Sequence, residues 1–217
     1  MLLDTSGVVY AFGDNRHGQL GICDTRVSRS FIPMKVAMVE RAKCMAAGDA
    51  HSLVVSEDQS VWSWGLNASG QLGHGNFVPQ AAPTRITTLV GIPGFDALSC
   101  GGQHSVIVGD GGKAVFSWGS NNCGQLGIGK TSVSESAPIR VALNSHQIVQ
   151  VAAAASHTMM LDKTGELLVC GDNSSGQLAL PERTRSNPEL TSVGSLRGYK
   201  INFVATADKH SICLAIQ

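Results

Sequence analysis

One nine-residue pattern constrains this chain more than any other feature of its sequence. The pattern Gly-x-Asn-x-x-Gly-Gln-Leu-Gly begins at Gly13, Gly65 and Gly119, and a fourth copy begins at Gly171 and ends in Ala179 instead of glycine. The first glycines of successive copies are 52, 54 and 52 residues apart. A nearly constant period of this length indicates an internal repeat, in which each unit is one supersecondary structure stacked on the next.

A second motif has the same period. Histidine followed by serine or threonine and then by an apolar run recurs at steps of 53 residues, at His51, His104, His157 and His210. Two different motifs with one period argue against coincidence. A unit of about 53 residues has room for four short strands and their turns. The sequence therefore predicts an all-β fold of four-stranded antiparallel sheets, arranged radially as propeller blades with one blade for each of the four repeat units.

The repeats predict a single domain over residues 1–217, with its glycine-motif units at 13–21, 65–73, 119–127 and 171–179. The apolar residues at the two ends of the chain match parts of the same blade, so we expect the termini to share one blade. Four units fit a small closed ring, and they fit an open arc of a larger propeller equally well. The free blade edges of an arc would favour self-association.

Bulky residues alternate on the strand that precedes each glycine motif. Trp62 and Trp64 are two residues apart, which puts them on one face of a strand and predicts that they fill the space between neighbouring sheets. This core role is favoured over a ligand platform built from tryptophans. The equivalent pairs in the other units are Tyr10 and Phe12, Phe116 and Trp118, and Leu168 and Cys170.

The glycine motif itself reads as a backbone turn. Glycine and asparagine tolerate positive φ, leucine anchors the returning chain, and glutamine is expected to satisfy backbone groups in the turn. A phosphate-binding loop is not predicted, because no Gly-rich Walker or dinucleotide pattern opens a helix here.

Variable polar segments follow the motif at residues 74–83, 128–138 and 179–188, where partner recognition is expected. Each segment ends near a proline that we expect at the start of an outer strand, namely Pro33, Pro83, Pro138 or Pro188.

Composition narrows the function further. Sixteen basic and sixteen acidic side chains cancel without any run of like charge, which argues against direct nucleic-acid binding and against a polybasic membrane patch. The six cysteines form no Cys-x-x-Cys pair, so thiols in a reducing compartment are expected. One histidine per unit could ring a metal or serve catalysis, but neither explains four identical positions. We therefore expect each histidine to bond to a neighbouring turn, and we predict no catalytic, cofactor-binding or metal-binding residues.

Two motifs together resemble the regulator of chromosome condensation repeat: the glycine motif, and the motif of small residues that ends in His-Ser or His-Thr. The resemblance covers the whole chain. It implies four-stranded propeller blades, seven of them in the type member. It also implies a non-enzymatic protein-interaction module, scaffold or regulatory, with a protein partner. The alternative that it implies is a guanine nucleotide exchange factor for a Ran-like small GTPase. The expected location is the cytoplasm, with the nucleus as the alternative.

Overall fold

The computed structural model describes residues 1–181 and 184–216, which form seventeen strands and three short 3-10 turns. The first strands along the chain are β1 (Leu2–Leu3), β2 (Val9–Asp14), β3 (Arg29–Lys35), β4 (Ala42–Ala47), β5 (His51–Ser56), β6 (Val61–Gly65), β7 (Gln80–Arg85), β8 (Ala97–Cys100) and β9 (His104–Gly109). They are followed by β10 (Ala114–Ser120), β11 (Ser134–Arg140), β12 (Ile148–Ala153), β13 (His157–Asp162), β14 (Leu167–Asp172), β15 (Ser186–Ser192), β16 (Lys200–Thr206) and β17 (Ser211–Ile216).

The strands form antiparallel sheets in chain order, which confirms the predicted all-β class. Three sheets are complete, in the orders β4-β5-β6-β7, β8-β9-β10-β11 and β12-β13-β14-β15. The sheet at the amino-terminal end is β1-β2-β3, and the one at the carboxyl-terminal end is β16-β17. The residue after each buried histidine faces the bulky position of the next strand. Ser52 is paired with Trp64, Ser105 with Trp118, and Thr158 with Cys170.

Neighbouring sheets pack through their first strands and bury a separate apolar cluster at each junction. Strand β8 lies between β4 and β12, and β12 in turn contacts β16. At one junction Leu53 of β5 packs with Ile107 of β9 and Trp118 of β10, and all three are fully buried. Burial of apolar side chains is the main favourable term in folding. In a repeat fold each unit contacts only its neighbours, so the burial between units lies at the junctions of adjacent sheets.

The strands at the two ends of the chain lie in different sheets, and the expectation that the termini share one blade stays a prediction. Among the described residues, β16-β17 and β1-β2-β3 are separate sheets with no ladder between them. The physical reason is that Leu2 and Leu3 of β1 already pair with Tyr10 and Val9 on the edge of β2 that β17 would need. Of the two architectures left open, the described residues therefore form an open row of blades.

The prolines also lie elsewhere than predicted. Each is inside an outer strand rather than at its start. Pro83 lies within β7 and Pro138 within β11. Both are near a shift in register, between Ser63 and Gly65 in one sheet and between Ser117 and Gly119 in the other. A bulge leaves a residue outside the ladder, so the missing N–H of proline costs no strand hydrogen bond there.

Within residues 1–181 and 184–216 there is no helix with the length and apolar character needed to cross a bilayer.

Candidate protein-interaction surface

Two kinds of connection lie at the same end of every complete sheet, because successive strands are antiparallel. The turn between the first and second strands comes directly before the repeated histidine, and the loop between the third and fourth strands carries the glycine motif. They contact each other across blades, since Ser69 Oγ donates to Gln103 Oε1 at 2.7 Å. We call this end of the molecule the loop face. It comprises residues 15–28, 48–50, 66–79, 101–103, 121–133, 154–156, 173–181, 184–185 and 207–210.

The asparagine of the glycine motif fastens the variable loop to the turn. Asn67 is fully buried, and its Oδ1 accepts the N–H of Leu72 at 3.0 Å. Its Nδ2 donates to the carbonyl oxygens of Asn76 and Val78 at 2.9 and 3.0 Å. The amide oxygen of this side chain thus bonds the turn, and its amide nitrogen bonds the variable loop. The other copies are bonded in the same way through Asn15, Asn121 and Asn173.

The glutamine of the motif satisfies the turn as predicted. Gln71 Oε1 accepts the N–H of Ser69 at 2.9 Å, and the other three copies form the same bond two residues back. The glutamine amide nitrogen then donates to the residue after the first glycine. That acceptor is Asp14 for Gln19 and Asp172 for Gln177. In the second copy this position is Leu66, and the buried Nε2 of Gln71 has no hydrogen-bond partner among the described residues.

Restoring that acceptor should stabilise the protein. We expect Leu66→Asp to raise the free energy of unfolding by about 1 kcal/mol, because a buried donor gains the partner that it has in the other copies. Urea unfolding followed by circular dichroism measures the change. Leu66→Ala is the matched control, since it removes the leucine without supplying an oxygen. A Leu66→Asp protein no more stable than Leu66→Ala would contradict this interpretation.

The repeated histidines connect one blade to the next. His104 Nε2 lies 2.9 Å from Thr158 Oγ1, and that hydroxyl donates to the carbonyl oxygen of Gln125 at 2.7 Å. Because the single hydroxyl hydrogen is used on the carbonyl, the imidazole must donate from Nε2. His51 and His157 form the same chain with Ser105 and Ser211 at 3.0 Å. The expected bond to a neighbouring turn is therefore made through a hydroxyl on the second strand of the next blade.

The chemistry of these imidazoles follows from their burial. With Nε2 donating, Nδ1 carries only a lone pair, and in all three histidines it is buried without a partner among the described residues. A second proton there would be unsolvated. Desolvation accordingly lowers the pKa of His51 to about 4 and that of His104 to about 3, and it also lowers the pKa of His157. These groups stay neutral at pH 7 and act as structural donors. His210, at the end of the row, is exposed.

The backbone carbonyl of the motif glutamine also connects the blades, because it accepts hydrogen bonds from two donors in the next blade. Gln71 O accepts Ser105 Oγ at 2.9 Å and Trp118 Nε1 at 2.8 Å. Gln19 O accepts Ser52 and Trp64 in the same manner. At Gln125 the second donor is the thiol of Cys170, at 3.5 Å. Burial raises the pKa of that thiol to about 12, so it remains protonated and able to donate.

Small residues before the histidines let the blades converge, as predicted. A Cβ on Gly48 would overlap the carbonyl oxygen of Gly101, and a Cβ on Gly101 would overlap that of Ala154. The converging strands leave a cavity of about 450 Å³, lined by glycine and alanine residues together with Cys100, Asp49 and Asp208. Within residues 1–181 and 184–216, no group of three or more His, Cys, Asp or Glu side chains is arranged to hold a metal ion.

Two arginines at the loop face are paired with neighbouring carboxylates. Arg16 Nε lies 2.8 Å from Asp14 Oδ1, and Arg26 lies 3.0 Å from Asp24. The hydrogen bond from each arginine lowers the pKa of the carboxyl beside it. Exposed pairs of this kind contribute little to stability. They also cancel one another, so these parts of the face present no extended field of one sign.

Exposed apolar side chains mark the loops of adjacent blades. Phe77 and Val78 are 52% and 58% exposed in the second unit, and Val133 is 79% exposed in the third. The loop of the second unit is bonded to strand β11 of the third, because the N–H of Gly75 donates to the carbonyl oxygen of Ser136 at 2.8 Å. Large apolar groups held outward on a fixed backbone are typical of binding surfaces.

The structure narrows the predicted recognition segments. In the segments 74–83 and 128–138, the residues from Gln80 and from Ser134 onward belong to outer strands, so the loops end at 79 and 133. In the segment 179–188, Glu182 and Arg183 lie outside the described residues. The sequence showed serine or threonine after every histidine but gave no sign of its role, since its partners lie 34 and 54 residues away.

Antiparallel four-stranded sheets packed in a row, with one histidine bond from blade to blade, define a β-propeller repeat domain. A family model of the RCC1-like domain matches residues 1–217, and the chain belongs to this family. The resemblance to the regulator of chromosome condensation repeat is thereby confirmed. This is a propeller family of protein-interaction and regulatory domains.

Known proteins similar to this chain are much longer than it. The probable E3 ubiquitin-protein ligase HERC6 of Homo sapiens is 37% identical over 99% of this chain, which spans 21% of HERC6. The ultraviolet-B receptor UVR8 of Arabidopsis thaliana is 32% identical over 82% of this chain, or 39% of its own length. Among solved structures, Prp20p of Saccharomyces cerevisiae superposes with a TM-score of 0.85 at 20% identity. That match covers 99% of this chain and 53% of Prp20p.

Proposed function

We propose that this chain is a non-enzymatic protein-interaction module that binds another protein through its loop face, as a scaffold or regulatory domain. One observation carries the proposal. The repeated polar side chains are bonded between blades or within turns, whereas Phe77, Val78 and Val133 are held outward on loops fixed by the motif asparagine. A catalytic site needs a polar group free to act on a substrate. Apolar anchors on a rigid frame serve binding instead.

A matched pair of variants tests the loop face. Val78→Asp places a charge on the proposed surface, and Val90→Asp places the same charge at the opposite end of the blade, where Val90 is equally exposed at 60%. We expect Val78→Asp to weaken capture of the partner at least tenfold, because a desolvated apolar contact is lost. Quantitative mass spectrometry of proteins retained by each variant, with the unchanged chain as reference, measures the effect. Equal retention of every protein by the two variants would contradict the proposal.

The kind of partner follows from the charge balance and the family. With equal numbers of acidic and basic side chains and no run of like charge, we propose a protein partner rather than nucleic acid or a membrane surface. A cytoplasmic location, with the nucleus as the alternative, is part of the same proposal. Fluorescence imaging of the tagged chain tests the location.

An exchange factor for a Ran-like small GTPase is the second candidate. Its support is the likeness in fold to Prp20p, whose structure was reported with its binding to Gsp1p and histones. Against it, the connectors from second to third strand, opposite the loop face, are short. Residues 57–60 join β5 to β6, and residues 163–166 join β13 to β14, so neither forms a hairpin that could act as a wedge. A nucleotide-release assay on a Ran-like GTPase decides, since an unchanged release rate removes this candidate.

A further inference from the structure

The junction between the third and fourth units lacks a bulky side chain that the two earlier junctions have. At those junctions the residue paired with the serine after the histidine is tryptophan, and both Trp64 and Trp118 are fully buried. At the third junction the equivalent residue is Cys170, which is paired with Thr158. Both sheets at this junction are complete. Because a thiol is much smaller than an indole and interiors are closely packed, another group must fill the missing volume or it stays open.

The glycine that closes the motif shows where this volume lies. A Cβ on Gly73 would lie 2.8 Å from Nε1 of Trp118, so the indole covers this glycine. A Cβ on Gly127, the equivalent glycine, would lie 3.0 Å from Cys170 Sγ and 3.9 Å from Leu190 Cβ. Leu190 therefore takes up part of the space. Beside Gly127 and Leu190 there remains a cavity of about 310 Å³, which we call the junction cavity.

The walls of the junction cavity are held in place by backbone bonds between the two units. The N–H of Gly129 donates to the carbonyl oxygen of Pro188 at 2.9 Å, and Ile128 forms an antiparallel bridge with Glu189. Gly129 and Ala142 line the cavity and carry too little side chain to fill it. The cavity is therefore preformed, and a ligand does not have to order its walls on binding.

The charge in the junction cavity has one sign. Among the described residues that line it, Glu189 carries the only charged side chain. This side chain is exposed, and the side-chain donors that reach Glu189 use its main-chain carbonyl oxygen, namely Asn187 Nδ2 at 2.7 Å and Thr191 Oγ1 at 3.2 Å. The carboxylate is thus open to a cation, and the amide of Asn144 lines the same cavity as a further acceptor.

We propose that the junction cavity binds a small aromatic amine. The aromatic ring lies between the third and fourth units beside Gly127, where it supplies apolar surface that an indole supplies at the earlier junctions. The ammonium group pairs with the carboxylate of Glu189. Pockets for small molecules have volumes of roughly 300–1,000 Å³, so a cavity at the lower end of this range suits a compact ligand. An aromatic anion of the same size is disfavoured, because its charge repels the carboxylate.

Tryptamine is the probe, because it joins an indole ring to an ammonium group. In an NMR titration of the full isotope-labelled chain at pH 7, we expect the amide signals of Gly127, Gly129 and Leu190 to shift and to report the affinity. Indole-3-acetate keeps the ring and reverses the charge, whereas butylamine keeps the charge and has no ring. Each should bind at least fivefold more weakly than tryptamine, because each loses one of the two contacts.

Two variants separate the contributions of charge and shape. Glu189→Gln should weaken tryptamine binding about threefold to fivefold, the range for an exposed ion pair. Glu40→Gln makes the same change at an exposed position outside the cavity and should leave binding unchanged. Ala142→Phe fills the cavity from an exposed position and should weaken binding at least tenfold, with Ala68→Phe as the matched control at another exposed alanine. Circular dichroism verifies that each variant is folded.

Three outcomes would overturn the proposal. They are unshifted signals of Gly127, Gly129 and Leu190 at saturating tryptamine, equal affinity for tryptamine and indole-3-acetate, and unchanged affinity in the folded Ala142→Phe protein. The inference does not depend on the proposed function, so the Val78→Asp protein should bind tryptamine normally. If it does, and its protein capture is also unchanged, the loop-face proposal fails while the junction-cavity proposal stands.

Discussion

Lowering the pH from 7 to 4 is expected to destabilise the fold by on the order of 5 kcal/mol, a large part of the stability of an ordinary domain. The cause is the burial of His51 and His104, whose pKa values of about 4 and about 3 lie far below the value near 6.5 of an unfolded chain. Between these limits the unfolded chain binds protons that the folded chain does not. Stability is therefore complete above about pH 6.5 and falls as the pH drops toward 4.

Urea unfolding at a series of pH values measures this effect. Between pH 6 and pH 4.5 we expect a slope of roughly 2.7 kcal/mol per pH unit, the value for about two protons taken up on unfolding. His104→Gln keeps a donor near the position of Nε2 but cannot be protonated, so it should reduce the slope by about half. His17→Gln makes the same change at an exposed position and serves as the matched control. An identical slope in the His104→Gln protein would show that buried histidine does not cause the acid sensitivity.

Much of this fold follows from the sequence because the repeat multiplies every signal. Four copies of one turn motif, with a histidine every 53 residues, predicted the all-β fold class, the four-stranded sheets and the structural role of the imidazoles. The glutamine in the turn was also assigned correctly, because its bond to the N–H two residues back is local. Local motifs that recur in every unit are the features that a single sequence reveals most clearly.

Contacts between units could not be predicted, because the signals within one unit do not identify its partners in the next. Nothing local to Thr158 indicates that it receives His104 from the previous blade and donates to Gln125. The sharing of one blade by the termini stays a prediction, because two short apolar runs at the ends can match one blade without facing each other. The outward placement of Phe77 and Val133 also depended on the loop path, which the asparagine side chains fix through backbone carbonyls at variable positions.

Removing the ring of Trp118 should cost about 3–5 kcal/mol, the range for truncation of a large buried aromatic side chain. Trp118 is fully buried at the junction of two blades and packs with Leu53 and Ile107. Its Nε1 donates to Gln71 O at 2.8 Å, and the ring edge lies against Gly73. Trp118→Ala thus opens a cavity between units and also removes one donor from the carbonyl. In a repeat fold the loss is at an interface on which both neighbours depend.

Two variants separate packing from hydrogen bonding at this junction. Trp118→Phe keeps one aromatic ring and loses the second ring with its N–H, so a smaller destabilisation of about 1–2 kcal/mol is expected. Trp62→Ala is the matched control, because Trp62 is half-buried and its Nε1 donates to Ser56 Oγ within its own sheet. Its cost should be less than half that of Trp118→Ala in urea unfolding. Equal costs for these two alanine variants would mean that contacts within sheets, and not those between blades, dominate the stability of this protein.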